Sequence, residues 1–456
     1  MSKRLILVLT LAFVFGIAFA AYAEVQNIKV SGDLLFTTAS RQMFGLGGTT
    51  SVSGDKKSDT ENLLITQARL MVDADLTDNV AATLRLINER SWNSETSTST
   101  NIDVDLAYVA LKEFLYSPLS VTVGRQEIKL GNGLIIGNAR TYATAKLNGV
   151  PSDLSLRKSF DAITAVLDYD PLVITGLYAK IDGSTRTLSS GVRSVRGDTD
   201  LWGVNAAYDL GRRGAKAEAY YLRKNGDASG FGDTTTVKKE DVINVFGALL
   251  SATPIENLKT SAELAFQYGE VSGGTPSKKR AMAAQVMADY TFAKVKYTPA
   301  LGVSYTYLSG DKDTTDNKDK SWDRMYYDQA LNNITYAILP FSNMDVVNLK
   351  GSVKPKEDIT IAANLGIYRV AHKISSLTGV NVDSNGNTYG NGSSNDYTMD
   401  STKKDLGTAL DLTASYDYTE DVQIALTGGM FKAGKAFAAS NRSTATQVLG
   451  TMKVTF

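Results

Sequence analysis

The chain has 456 residues, 43% of them hydrophobic, and its 48 basic and 48 acidic side chains give a formal net charge of zero. No basic excess points to nucleic acid, and the lack of cysteine excludes disulfides, thiolate metal sites and thiol nucleophiles. A single histidine, His372, makes no metal cluster, so neither a metal centre nor a cofactor is expected.

In chain order, Lys3 and Arg4 precede an apolar run from Leu5 to Ala21, and Ala21-Tyr22-Ala23 supplies a small-x-small pattern. This predicts a signal peptide over residues 1–23, with residues 24–456 forming one domain. No later stretch approaches the ~18 consecutive apolar residues of a transmembrane helix.

A different period then takes over. In Leu63 to Leu76 one face carries Leu64, Thr66, Ala68, Leu70, Val72, Ala74 and Leu76, and the other carries Gln67, Arg69, Met71, Asp73 and Asp75. Period two predicts a strand, and its length suits the ~9–11 residues of a membrane-crossing strand rather than the 5–6 usual in globular proteins. The unit recurs. Strands are predicted near 27–39, 63–76, 80–89, 102–112, 119–130, 159–169, 172–182, 200–210 and 215–223. The second half adds 241–251, 258–270, 280–292, 296–308, 345–354, 359–370, 405–417, 422–432 and 446–456. Short links such as Thr77–Asn79 and Asp170-Pro171 alternate with long ones such as Gly131–Lys158, Ser309–Met344 and Ala371–Lys404.

The expected fold is all-β: a transmembrane antiparallel up-and-down β-barrel of about 18 strands with short periplasmic turns and long extracellular loops. Lipid offers backbone groups no partner, so the first strand must pair with the last. The last strand alternates through Val448, Gly450, Met452 and Val454 to Phe456. Tyr169, Tyr208, Tyr290, Tyr416 and Tyr418 stand beside short turns and predict a periplasmic aromatic girdle. Phe36, Trp202, Tyr268 and Tyr307 are the candidates for the opposite girdle.

Four motifs carry a family resemblance: VGRQEIKLGNGLIIGN (Val123–Asn138), SFDAITAVLDYDP (Ser159–Pro171), YTYLSGD (Tyr305–Asp311) and DLGTALDLTASYDY (Asp405–Tyr418). Together the chain resembles the alginate export family. The resemblance implies a bacterial outer-membrane barrel of eighteen strands that passes an anionic polysaccharide. It also implies that Phe456 resembles the terminal signal read during insertion, with the barrel-assembly machinery and periplasmic chaperones as partners alongside outer-membrane lipid.

That family lines its pore heavily with arginine, whereas the predicted lining here is mixed: Arg69, Asp73, Asp75, Arg85, Glu89, Asp103, Asp105, Lys180, Glu218, Glu263 and Asp411. Arg125, Glu127 and Lys129 join it only if a bulge near Gly124 turns them inward, because they share a side with Val121 and Val123. Interspersed signs favour small polar or charged solutes over a dedicated polyanion route. Ile338, Leu339, Pro340 and Phe341 are apolar inside a long link and are expected to narrow the pore or pack on a neighbouring loop. Asp311, Asp313, Asp316 and Asp319, or Asp383, Asn385 and Asn387, could bind calcium but match no EF-hand loop. The Asp73/Asp75 and Asp103/Asp105 pairs lack any second catalytic group, so no enzyme is expected. The alternative to a channel is a binding barrel or adhesin acting through its surface loops.

Overall fold

The computed structural model describes residues 26–47, 60–92, 102–139, 149–182, 185–187, 193–195, 199–227, 240–273, 275–313, 315–374, 376–378 and 396–456. The predicted signal peptide and the loop carrying Asp383, Asn385 and Asn387 lie outside the described residues.

Eighteen antiparallel strands among the described residues close into one barrel. They are β1 (Asn27–Gln42), β2 (Thr60–Thr77), β3 (Val80–Ser91), β4 (Asp103–Leu111), β5 (Leu119–Gln126), β6 (Phe160–Asp168), β7 (Leu172–Asp182), β8 (Thr199–Asp209) and β9 (Lys216–Asp227). The second half continues with β10 (Glu240–Ile255), β11 (Leu258–Gly273), β12 (Thr275–Thr291), β13 (Ala300–Leu308), β14 (Met344–Lys356), β15 (Ile359–Val370), β16 (Asp405–Asp417), β17 (Val422–Ala433) and β18 (Thr444–Thr455). Each predicted strand is present. β5 stops at Gln126 rather than at 130, because the chain from Glu127 leaves the wall and turns into the lumen. β13 starts at Ala300 rather than at 296, because Tyr297 and Thr298 take left-handed turn conformations (φ 68° and 40°).

The seam pairs β1 with β18, from Asp33 opposite Thr455 to Gln42 opposite Thr446. Beyond that register Gly32 N–H donates to Phe456 O (2.8 Å) and Phe456 N–H donates to Gly32 O (3.0 Å). Closure satisfies the ladder all the way round, which is the condition for crossing lipid with strands. No helix among the described residues is long and apolar enough to cross a membrane. A short α-helix, α1 (Asn333–Ile338), sits in the link between β13 and β14.

Alternation sorts the side chains into two surfaces. Outward positions carry exposed Leu64, Leu70, Leu84, Val109, Phe246, Leu264, Val303, Leu349, Leu412 and Leu426. Tyr169, Tyr208, Tyr416 and Tyr418 stand exposed beside the short turns, and Trp202, Phe246 and Tyr268 stand on the outward face toward the other end. This is the apolar band with flanking aromatics of an outer-membrane barrel. Around the long-link end, however, the interior is filled: Ile128, Leu134, Ile136, Trp322, Tyr326, Ile338 and Phe341 form one buried apolar cluster with wall residues such as Leu177, Ala179 and Leu222.

Candidate pore and its inward partition

The wall from β1 to β4 presents its charges inward as linked pairs. Arg69 makes a two-pronged contact with Asp33 (2.8 and 3.0 Å). Thr83 donates to Asp73 (2.6 Å) one strand over. Arg85 reaches Asp105 (2.7 Å) and also Glu127. Arg41, fully buried, donates to Gln447 (2.9 Å) across the seam and pairs with Asp153, while Glu61 lies 3.9 Å away. Burying these ions is tolerable only because each meets its counter-charge with directed hydrogen bonds.

Two chain segments cross the lumen. The first runs from Glu127 to Asn138 and from Gly149 to Lys158. It is strapped to the wall at Glu89, which accepts from Gln67 Nε2 (2.8 Å), Ser155 Oγ (2.9 Å), Leu156 N–H (2.6 Å) and Arg157 Nε (3.0 Å). Arg157 also pairs with Asp103 (2.8 Å). On the far wall the Gly131-Asn132 tip docks by Asn132 Nδ2 to Ser261 (3.3 Å), beside Glu263, which accepts from the Tyr220 hydroxyl (2.8 Å). Gly131 there is left-handed (φ 51°), with Leu249 only 3.0 Å from where a Cβ would stand, so a side chain would be strained and crowded.

The second segment is the link from Ser309 to Asn343. Lys224 and Lys279 hold Asp323 and Asp319 (2.8 Å each). Burial alone would push the Asp319 carboxyl up, but Lys279 and the Ser321 hydroxyl hold it below the usual carboxylate range. Asn332 is a clasp: its amide donates to Asp411 (3.0 Å) and to Asn364 O (2.9 Å), and its oxygen accepts from Asn348 (3.0 Å) and Tyr368 (2.9 Å). Asn333 N–H adds a second bond to Asp411 (2.7 Å) as α1 begins.

The two segments bind each other. Tyr326 N–H donates to Ile135 O (2.9 Å), Gly137 N–H to Tyr326 O (2.8 Å) and Asp328 N–H to Gly133 O (2.8 Å). Lys158 and Lys129 close on Asp328 at 2.7 and 3.7 Å. They form a continuous partition across the long-link half of the barrel. Beneath it a cavity of about 330 Å³ is lined by Asp289, Gly302, Asn333, Lys350, Asn364 and Asp411.

Of the predicted lining, Arg69, Asp73, Asp75, Arg85, Glu89, Asp103, Asp105, Glu218, Glu263 and Asp411 lie on inward-facing positions. Two residues do not. No register shift occurs at Gly124, although its φ is 126° and a Cβ would stand 2.1 Å from Ala107 O. Arg125 therefore stays on the outward side with Val123 and pairs with Asp161 (2.7 Å). Lys180 is likewise outward, opposite Asp161, and pairs with Asp200 (3.0 Å). Glu127 and Lys129 do reach the interior, but as part of the first segment rather than of the wall. Ile338, Leu339 and Phe341 are buried within the partition, where Phe341 stacks on Tyr327 at 4.1 Å. They are its core and do not line the cavity beneath.

Arg41, Asp153, Arg157 and Asn332 were not singled out in the sequence. Arg41 continues the inward alternation of Asp33 two residues past the predicted end of the first strand, so extending that strand would have found it. The other three lie in links, where no periodicity points to them. No group of three or more acidic or histidine side chains able to hold a metal occurs among the described residues. Asp316 is engaged by Lys320 (2.9 Å), and Asp313 by Thr315 (3.0 and 2.6 Å).

A family model described as alginate export matches residues 48–451. No curated protein matches the sequence. Among solved structures the barrel is similar to OccK11 (OpdR) of Pseudomonas aeruginosa, at 11% identity and a TM-score of 0.54 over 95% of this chain and 97% of that one. It is also similar to OccK5 (OpdH) of the same organism, at 11% identity and a TM-score of 0.52 over 95% of this chain and 99% of that one.

Proposed function

This chain belongs to the alginate export family and is a channel-forming β-barrel of the bacterial outer membrane, and from that premise we propose that it lets small polar or charged solutes diffuse passively past the partition. The inward residues Arg69, Asp73, Asp75, Arg85, Glu89, Asp103, Asp105, Glu218, Glu263 and Asp411 set its charge selectivity. The partition, built round Ile338, Leu339 and Phe341, sets its size limit.

One observation carries the choice of solute. Each arginine on the β1–β4 side of the lumen sits against carboxylates: Arg41 with Asp153, Arg69 with Asp33, Arg85 with Asp105 and Glu127, Arg157 with Glu89 and Asp103. A polyanion needs a track of uncompensated positive charge, whereas paired charges present dipoles that suit small polar solutes. The family description supports the second reading, passage of an anionic polysaccharide. Family and fold are those of channels, and the reading assigns no catalysis to the aspartate pairs.

Reversal potentials in asymmetric salt decide between the two readings, with neutral sugars and anionic oligosaccharides tested as blockers. Weak ion preference with block by small sugars is expected. Strong anion selectivity with block by oligouronates alone would transfer the assignment to the polysaccharide. An adhesin would give no current at all. Phe456, with its ring exposed on the outward face at the seam, is the feature we assign to recognition by the assembly machinery.

A further inference from the structure

The outward wall carries a second constellation, unrelated to the lumen. One cross-strand row on β7 to β12 runs through Tyr178, Trp202, Arg223, Asn244, Tyr268 and Arg280, each directly opposite the next. It stands toward the long-link end. The rings of Trp202, Tyr221, Phe246 and Tyr268 follow one another at centroid distances of 5.6, 4.9 and 5.5 Å. Asn244 ties this chain of rings together: it accepts the Tyr221 hydroxyl (2.7 Å) and donates to Tyr268 O (3.2 Å). The Arg223 guanidinium lies 6.0 Å over the Trp202 ring and donates from Nε to Asn225 (2.7 Å).

The two arginines of this row differ from two outward cations on the neighbouring strands β5 and β7. Arg125 is neutralised by Asp161 and Lys180 by Asp200. Neither Arg223 nor Arg280 has a carboxylate within ion-pair distance among the described residues, and Arg280 makes no hydrogen bond there. A cation beside lipid without a counter-ion is costly, and a guanidinium's planar fork matches a phosphate. The aromatic chain, with Trp202 and Tyr268 in the arginine row and Tyr221 and Phe246 one row below, offers acyl chains a flat apolar floor while its polar edges stay in the headgroup layer.

We propose that Arg223 and Arg280, with the Trp202–Tyr221–Phe246–Tyr268 platform, form a docking site for a multiply phosphorylated glycolipid of the outer leaflet. The two arginine positions are three strands apart, about 14 Å at the usual strand spacing. That separation calls for two anionic groups on one headgroup rather than one. The site lies in the leaflet at the long-link end, because short turns face the periplasm in such barrels.

The test is native mass spectrometry of the full chain in detergent, titrated with bisphosphorylated lipid A, its dephosphorylated form and phosphatidylglycerol. The unaltered protein is expected to bind the bisphosphorylated lipid at least tenfold more tightly than either of the others. The double variant Arg223→Gln/Arg280→Gln is expected to lose that preference, Arg223→Lys/Arg280→Lys to keep part of it, and the ion conductance of both to stay unchanged. Equal binding of dephosphorylated lipid or phosphatidylglycerol by the unaltered protein overturns the site, whether or not any variant folds. Undiminished binding by the glutamine variant overturns it as well.

Discussion

Glu89 on the barrel wall and Arg157 on the inward segment form a buried ion pair, 3.0 Å from Oε2 to Nε, with four donors converging on the one carboxylate. Cutting a buried pair by removing one partner costs on the order of 3–5 kcal/mol, because the other charge is left without compensation. Glu89→Ala is expected to loosen residues 155–157 at the wall, while Arg41–Asp153 and Arg157–Asp103 still hold the segment. Single-channel recording should show higher conductance and more open-state noise, and an unchanged trace would mean that the strap is not the restraint.

Arg85 stands between Asp105 and Glu127, so its removal leaves both carboxylates without their ion-pair partner. Arg85→Ala is expected to shift the reversal potential toward cations. The complementary change Asp105→Asn should move it the other way, by less, because Glu127 still holds the guanidinium.

The partition's apolar core predicts the effect of a cut. Deleting residues 335–342 removes most of α1 and Phe341, and with them the stacking on Tyr327. The barrel strands keep their pairing, so the protein should still insert. Conductance should rise and the exclusion limit for sugars in liposome swelling should increase. Asn332→Ala, which leaves Asp411 and Asn348 short of a partner, is expected to do the same more weakly; each orphaned buried group costs about 1–3 kcal/mol.

At the seam, the Cβ position of Gly32 stands 2.7 Å from the Phe456 ring and 2.6 Å from Arg69 O. Gly32→Val is expected to displace the ring and weaken the closing pair. Heat-modifiability on electrophoresis should occur at a lower temperature than in the unaltered protein.

His372 sets a pH dependence. Burial, then Lys404 and Lys312, hold its imidazole below the ordinary histidine value, and its backbone exchanges hydrogen bonds with Asn343 (2.8 and 2.9 Å). The unfolded loop binds the proton more readily than the folded one, so this contribution is full above about pH 6.5 and is lost as the pH falls below it. Hydrogen-exchange protection factors around residues 343 and 372, corrected for the intrinsic rate, should fall on acidification, and His372→Gln should remove the dependence.

The barrel was legible because its two faces differ in solvent: β2 reads lipid on one side and water on the other, and the alternation of Leu64 to Leu76 records that. Charge marks the lumen along most of the wall, which is why Lys180 is expected inside, and Arg125 too if the strand bulges near Gly124. Near the long-link end that rule inverts. The inward positions Leu177 and Ala179 pack on the partition and are apolar, while the outward positions meet headgroups and are polar. The partition itself was legible only as an apolar run at Ile338 to Phe341. Its fastening, through Arg157, Asp153 and Asn332, depends on contacts far apart in the chain, for which a single sequence carries no periodic sign.

The bridge at Ile136 and Tyr326 has a consequence for how this interior can change. Each inward run completes the other's backbone pairing, through Ile135, Gly137 and Asp328. Grafting one of them from a homologue would strand N–H and C=O groups on the one left behind. The two runs are a matched set, inherited or replaced together, whereas the staves around them tolerate exchange one hairpin at a time.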